Sequence, residues 1–277
     1  MSSQRARTIV FSHANGFPAG TYRSLFEAWR EAGFTVHAVE RFGHDARFPV
    51  TNNWPHLREQ LVQLIEREAG TPVYLVGHSL GGYLSLMAAA RRPDLATGVV
   101  LLDSPLVSGW KARALQLAKA TGLGERFSPG HVSKRRRQHW PSVEAAYQHF
   151  AAKPMFARWA SGVLHDYLAA GLEPHGKEQR LAFDREIETA IYNNLPHHLA
   201  RLLRVHPLQC PLAFVRGTES AEVRQVGLAA TTRLAHGRVS SIEGSHLFPM
   251  EKPAETAAEV MRWIEALGAL EASTPRL

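Results

Sequence analysis

The sequence has one cysteine in 277 residues, Cys210, so no disulfide can close within the chain, and its cysteine usage favours a reducing setting such as the cytoplasm. Between Gln209 and Pro211, ahead of an apolar strand, that cysteine reads as a small packed residue. No run approaches the ~18 apolar residues of a membrane span. The opening MSSQRARTIVF reaches its first strand without the apolar stretch of a secretory leader. Neither His-Glu-x-x-His nor Cys-x-x-Cys occurs, and His197 and His198 are adjacent rather than four apart, so no metal site is expected. A glycine-rich dinucleotide fingerprint is also missing, which leaves no nicotinamide or flavin cofactor to expect. Internal repeats and low-complexity linkers are absent too, and only residues 271–277 (EASTPRL) read as a tail.

What is present suits one large globular domain carrying an insertion, with 45% hydrophobic residues. Thirty-two basic residues against 25 acidic ones give a formal charge of +7, which permits anion affinity without establishing it. The densest basic cluster, Lys134-Arg135-Arg136-Arg137, reads as the solvated face of a helix. No nucleic-acid fold signature accompanies it, so a nucleic-acid partner is not expected.

Strand and helix patterns alternate along the first hundred residues. RTIVFS (7–12), TVHAVE (35–40), VYLV (73–76) and GVVLLD (98–103) read as strands, with amphipathic helices over 22–32, 53–70 and about 80–92 between them. Pro93 stops the last of these helices. From about 104 to 206 the strand signals cease, and the segment is rich in helix formers, prolines and aromatics: Trp110, Trp140, Tyr147, Phe150, Phe156, Trp159 and Tyr167. Alternation then resumes with strands 212–215 and 238–242 and helices 223–235 and 253–267. The pattern predicts an α/β fold with a mostly parallel sheet covered by helices on both faces, built from 1–105 and 207–277, with 106–206 as an inserted helical cap.

One stretch calls for chemistry. In VYLVGHSLGGYLSL (73–86) a buried strand runs into Gly77-His78-Ser79-Leu80-Gly81-Gly82 and then into a helix. A serine hydroxyl becomes a useful nucleophile only beside a base and within reach of amide donors. A sharp strand-to-helix turn supplies that setting: it strains Ser79, aims the helix N-terminus at the reacting carbonyl, and needs Gly77 and Gly81 where strand and helix cross.

With these residues the chain resembles the α/β-hydrolase superfamily over nearly its whole length. GHSLGG is similar to the family's nucleophile elbow, and FSHANGFPAG (11–20) to its oxyanion loop. VERFGHD (39–45) is similar to its Asp-x-Arg-Gly-His-Gly turn, and IEGSHLFPMEKP (242–253) to the segment bearing its catalytic histidine. The resemblance implies Ser79 as nucleophile and His246 as general base, with His78 supporting the elbow and His13 shaping its loop through backbone hydrogen bonds. It implies an oxyanion hole from the backbone N–H of Leu80 and of Asn15, with Phe17 as the alternative second donor.

The acid departs from the family pattern, because the usual aspartate position after the penultimate strand holds Ser220, with Glu219 one place earlier. Asp103, ending the strand after the nucleophile helix, is the first candidate for the acid and Glu219 the second. A serine nucleophile argues against dehalogenase and epoxide hydrolase chemistry. The expectation is therefore hydrolysis of a carboxylic ester, with thioester, lactone or C–C cleavage, or a ligand receptor with vestigial hydrolysis, as alternatives. The cap aromatics imply a small-molecule substrate with a largely apolar acyl group. A homodimer is compatible with the sequence.

Overall fold

The computed structural model describes residues 7–70, 72–121 and 130–273, so the last four residues of the expected tail lie outside it. Six strands form one parallel sheet: β1 (Thr8–Ser12), β2 (Thr35–Ala38), β3 (Val73–His78), β4 (Ala96–Leu102), β8 (Leu212–Gly217) and β9 (Val239–Ile242). Their spatial order is β2-β1-β3-β4-β8-β9. Each neighbouring pair is parallel, as Phe11 opposite Val76 and Val100 opposite Ala213 illustrate. Alternate residues feed opposite faces. Phe11, Val76, Val100, Leu102 and Val215 pack on one side with Trp29 of α1 (Arg23–Glu31). Val10, Leu75, Val99, Leu101 and Phe214 pack on the other with α2 (Pro55–Glu68) and α3 (Leu80–Arg91). Apolar burial on both faces is what a central parallel strand requires.

The order of strands reverses at β1 and β3, because β2 lies on one side of β1 and β3 on the other. In open α/β sheets the crevice beyond the carboxyl ends at such a reversal is where ligands bind. Ser12 and His78 end the two strands that flank it.

Between β4 and β8 the described residues are mostly helical, but they include three short strands that the sequence reading missed: β5 (His139–Trp140), β6 (Leu172–His175) and β7 (Glu178–Leu181), in an antiparallel sheet ordered β5-β7-β6. They are two to four residues long, too short to generate an alternation to read. The expected helix 223–235 is two helices, Ala221–Val226 and Ala229–Leu234, separated at Gly227, which has φ +87°. The final helix, Pro253–Ser273, runs past Leu267, where the sequence reading ended it, and into the expected tail.

The crossing of β3 and α3 is the tightest part of the frame. A Cβ at Gly77 would lie 2.2 Å from the Gly81 carbonyl oxygen, one at Gly81 1.9 Å from the Ser12 carbonyl oxygen, and one at Gly82 2.0 Å from Ser104 Oγ. Two of these three obstacles are backbone atoms, which cannot rotate aside. Gly81→Ala is therefore expected to cost at least about 3 kcal/mol, as overpacking of a rigid site does. Urea denaturation measures this, and an unchanged midpoint would contradict the packing argument.

Candidate active site

Ser79 sits between β3 and α3 with φ 53° and ψ −113°, outside the ordinary regions for a non-glycine residue. Its surroundings hold that strain in place. The Ser79 N–H donates to the Leu102 carbonyl at 3.0 Å, and Ser104 Oγ–H donates to the Ser79 carbonyl at 2.9 Å. Leu80 follows as the first residue of α3, so its N–H has no intrahelical acceptor and belongs to the positive end of the helix.

His246 lies in the turn after β9, directly behind Ser245, and a Cβ at Gly217 would lie 2.2 Å from the Ser245 carbonyl oxygen. The bare glycine at the end of β8 thus lets this loop close down on the sheet. Its shape is further fixed by Glu251, which accepts from Ser245 N at 3.0 Å and from Ser245 Oγ at 2.5 Å. His246 Nδ1 is 2.7 Å from Asp103 Oδ2. Asp103 is fully buried at the end of β4 in a left-handed conformation, φ 47°. Its other oxygen accepts from Gly217 N at 2.8 Å, and its Oδ2 also takes a short hydrogen bond from Ser220 Oγ–H. An acceptor-only carboxylate opposite Nδ1 assigns the proton to that nitrogen and leaves Nε2 as the ring's lone-pair site. Burial works against protonation of His246. The hydrogen bond and charge of Asp103, with a contribution from Glu222, outweigh it and hold the imidazole above its ordinary pKa.

The other two histidines singled out in the sequence hold backbone. The N–H of Ala14 donates to Tyr22 OH at 3.1 Å, Tyr22 OH lies 2.7 Å from His78 Nδ1, and His78 Nε2 lies 2.8 Å from the His246 carbonyl oxygen. A carbonyl only accepts, so Nε2 carries the proton, Nδ1 accepts from the phenol, and one polarised chain ties the 13–17 loop to the His246 loop. Burial pushes His78 well below its ordinary pKa, which keeps the relay neutral. His13 likewise lowers to about 4 through burial; its Nδ1 meets Ala14 O at 2.8 Å, and its Nε2 accepts from Phe42 N at 3.0 Å.

Of the two candidate second donors, Phe17 N–H is already given to Ala14 O at 3.2 Å, which leaves Asn15 as the N–H of that loop to consider. The Asn15 side chain is anchored, its Nδ2 donating to the Glu188 carbonyl at 2.9 Å. Here the reading of the basic cluster needs correction. The helix Gly130–Ser133 ends before Lys134, so the four basic residues do not form a helix face, and Arg136 turns inward. Its Nη1 pairs with Glu188 Oε2 at 2.7 Å and its Nη2 with Tyr167 OH, and the pair presses on Gly16, where a Cβ would meet Glu188 Oε1 at 2.8 Å. The cap aromatics are also used differently from a pocket lining. Trp140, Phe150, Phe156, Trp159 and Tyr167 are buried in one cluster continuous with Tyr22 and Phe26, while Trp110 is exposed.

Glu219, the second candidate acid, points elsewhere: its carboxylate pairs with Arg158 Nη1 at 2.8 Å. The residue that sequence reasoning overlooked is Glu222, whose Oε2 lies 3.7 Å from His246 Nδ1. Its signal was available, since an acidic residue in the first turn after Ser220 opens the helix that follows β8. Asp103, Glu222 and His246 bring three potential metal-ligand atoms within 4.8 Å of one another. The Asp103 and His246 atoms already bond to each other, and both Asp103 oxygens accept further hydrogen bonds, so the donor set is that of a proton-holding pair rather than an open metal cage. Among the described residues no helix is long and apolar enough to cross a membrane.

A serine at a strained strand-to-helix turn after β3, a buried aspartate at the end of the adjacent strand β4 and a histidine in the loop after β9 all lie at the carboxyl ends of one parallel sheet. Residues 9–259 match the model of the alpha/beta hydrolase family, and the chain belongs to that family. Monoglyceride lipase of Rattus norvegicus is 33% identical to it over 106 residues, 36% of this chain and 35% of that protein. A monoglyceride lipase homolog of Monkeypox virus is 29% identical over 126 residues, 43% of this chain and 45% of that protein. The matched part therefore spans less than half the length of either relative. In fold, the chain is similar to the crystal structure of E-2-(acetamidomethylene)succinate hydrolase, with TM-score 0.73, 23% identity and coverage of 94% of this chain and 91% of that one. A thioesterase domain from the curacin biosynthetic pathway gives TM-score 0.69 at 17% identity over 93% and 91% of the two chains.

Ser220 has two tasks in this geometry, as the acceptor of Val223 N at 3.1 Å that caps its helix and as the donor to Asp103. Ser220→Ala should cost about 1–2 kcal/mol in chemical denaturation, the range for a lost N-cap. Stability unchanged within about 0.3 kcal/mol would contradict the capping role.

Proposed function

We propose that this protein is a serine hydrolase that cleaves a small-molecule carboxylic ester through an acyl-enzyme. The observation that carries the reading is the 2.7 Å contact between His246 Nδ1 and the fully buried Asp103 Oδ2, at the same sheet edge as the strained Ser79. The carboxylate fixes the tautomer, so that Nε2 acts as general base. Ser79 Oγ attacks the ester carbonyl as its proton passes to Nε2, and the oxyanion forms against the N–H groups of Leu80 and Asn15. Collapse breaks the C–O bond to the alcohol, which leaves with the proton from Nε2. Water then repeats the cycle on the acyl-enzyme, returning the acid and the free serine.

An ester is favoured by the relatives named as monoglyceride lipases. Residues 106–206 act as the cap over this edge. The cap aromatics pack chiefly against one another, and Gly16 meets the buried Arg136–Glu188 pair, so the acyl group need not be largely apolar. The intact hydrogen bonding around Asp103 favours turnover over a vestigial receptor site.

Steady-state hydrolysis of p-nitrophenyl esters from acetyl to dodecanoyl tests the proposal. Ser79→Ala should abolish turnover, Asp103→Asn should lower kcat by roughly 10³- to 10⁴-fold, and Glu219→Gln should change it less than about threefold. Full turnover in Asp103→Asn would overturn the assignment of the acid, and turnover surviving Ser79→Ala would overturn the nucleophile.

A further inference from the structure

Two carboxylates approach one imidazole nitrogen, with a serine hydroxyl bridging them, although the serine-hydrolase reading uses only one of the two. Asp103 reaches His246 Nδ1 from the end of β4, with its side chain wholly inaccessible. From the other side, Glu222 in the first turn of the helix Ala221–Val226 brings Oε2 to 3.7 Å of the same nitrogen, with 47% of its side chain exposed. Ser220 stands between them, giving its hydroxyl proton to Asp103 and lying 3.4 Å from Glu222 Oε2. A separation of 3.7 Å exceeds a hydrogen bond, so Glu222 acts on the ring through its charge.

Resting on the reading above, we propose that Glu222 is a second carboxylate of the site, a positioning residue that shares the charge of the His246 imidazolium with Asp103 and partly replaces it when Asp103 is lost. The arrangement follows from what stands at 220. A serine there cannot carry charge, but it can orient Asp103 and cap the helix, and the capped helix delivers a carboxylate two residues later. Glu222 has no arginine or lysine within ion-pair distance among the described residues, whereas Glu219 and Glu251 are both engaged by Arg158. The titratable rings facing this region are neutral. His78, with its ring 5.0 Å from that of His246, is held uncharged by burial, and the phenols of Tyr83 and Tyr192, which feel the charge of Glu222, are pushed above their ordinary pKa chiefly by burial. Glu251 is charged, but its carboxylate is taken up by Ser245 of the ring's own turn and by Arg158.

The sign of the effect is fixed. A carboxylate near Nδ1 favours the imidazolium, so its removal should let His246 lose its proton at lower pH and move the acid limb of kcat/KM the same way. The test uses ¹⁵N-histidine-labelled full-length protein, with the His246 resonance assigned by His246→Gln, together with ester kinetics in Ser220-intact backgrounds. In Glu222→Gln, His246 should titrate at a pH lower by about 0.5, and kcat should fall about two- to fivefold, the range for a half-exposed charge. In an Asp103→Asn background the same substitution should cost about tenfold or more, because no carboxylate then remains. An unmoved titration together with equal fold-losses in the two backgrounds would overturn the proposal. Absence of Ser79-dependent ester turnover in the wild type would instead overturn the hydrolase reading, and the His246 titration would still report on Glu222 alone.

Discussion

The site depends on how closely β3, α3 and the end of β1 approach one another. The chain closes up where three side chains are missing, at Gly77, Gly81 and Gly82, and the crossing forces Ser79 into a strained positive-φ conformation. A residue held there costs on the order of 1–3 kcal/mol and persists only if its surroundings over-determine it. They do so here through the Ser79 N–H on Leu102 and the Ser104 hydroxyl on the Ser79 carbonyl, both from the end of β4. The strand that supplies Asp103 is thus the strand that braces Ser79, and the two side chains are positioned by one piece of backbone.

The rest of the constellation is tied to the same frame by polar contacts rather than by packing alone. The relay from Ala14 through Tyr22 and His78 to the His246 carbonyl links three loops that leave three different strands. Every donor in it has an acceptor, so a buried polar chain that would be costly if incomplete becomes a rigid brace. Asp103 is satisfied in the same manner, by a backbone N–H, a hydroxyl and an imidazole, which lets a carboxylate be fully buried with no arginine or lysine paired to it among the described residues.

Much of this was legible in the sequence, for identifiable reasons. Both core faces follow from near-continuous apolar runs such as VVLL (99–102), and the elbow follows from glycines whose only use is close approach. The supporting roles of His13 and His78 came with the family resemblance, and both rings do meet backbone groups. Other features depend on partners far along the chain. Arg136 reads as one of four solvated cations until Glu188, fifty-two residues later, is brought against it. Glu222 and Glu219 are indistinguishable by composition. Only the direction of a capped helix sends one toward His246 and the other to Arg158. The strands of the insertion are too short to carry a period, and Gly227 divides a helix that its flanking residues would have continued.

The central claim is that Ser79 is the nucleophile, activated by its position and by His246. Covalent trapping tests it without knowledge of the substrate. The folded protein is incubated with a fluorophosphonate and examined by intact mass and peptide mapping. The account predicts a single adduct on Ser79, formed much more slowly when His246 is replaced by glutamine. An unmodified protein, or an adduct on another side chain, would contradict it.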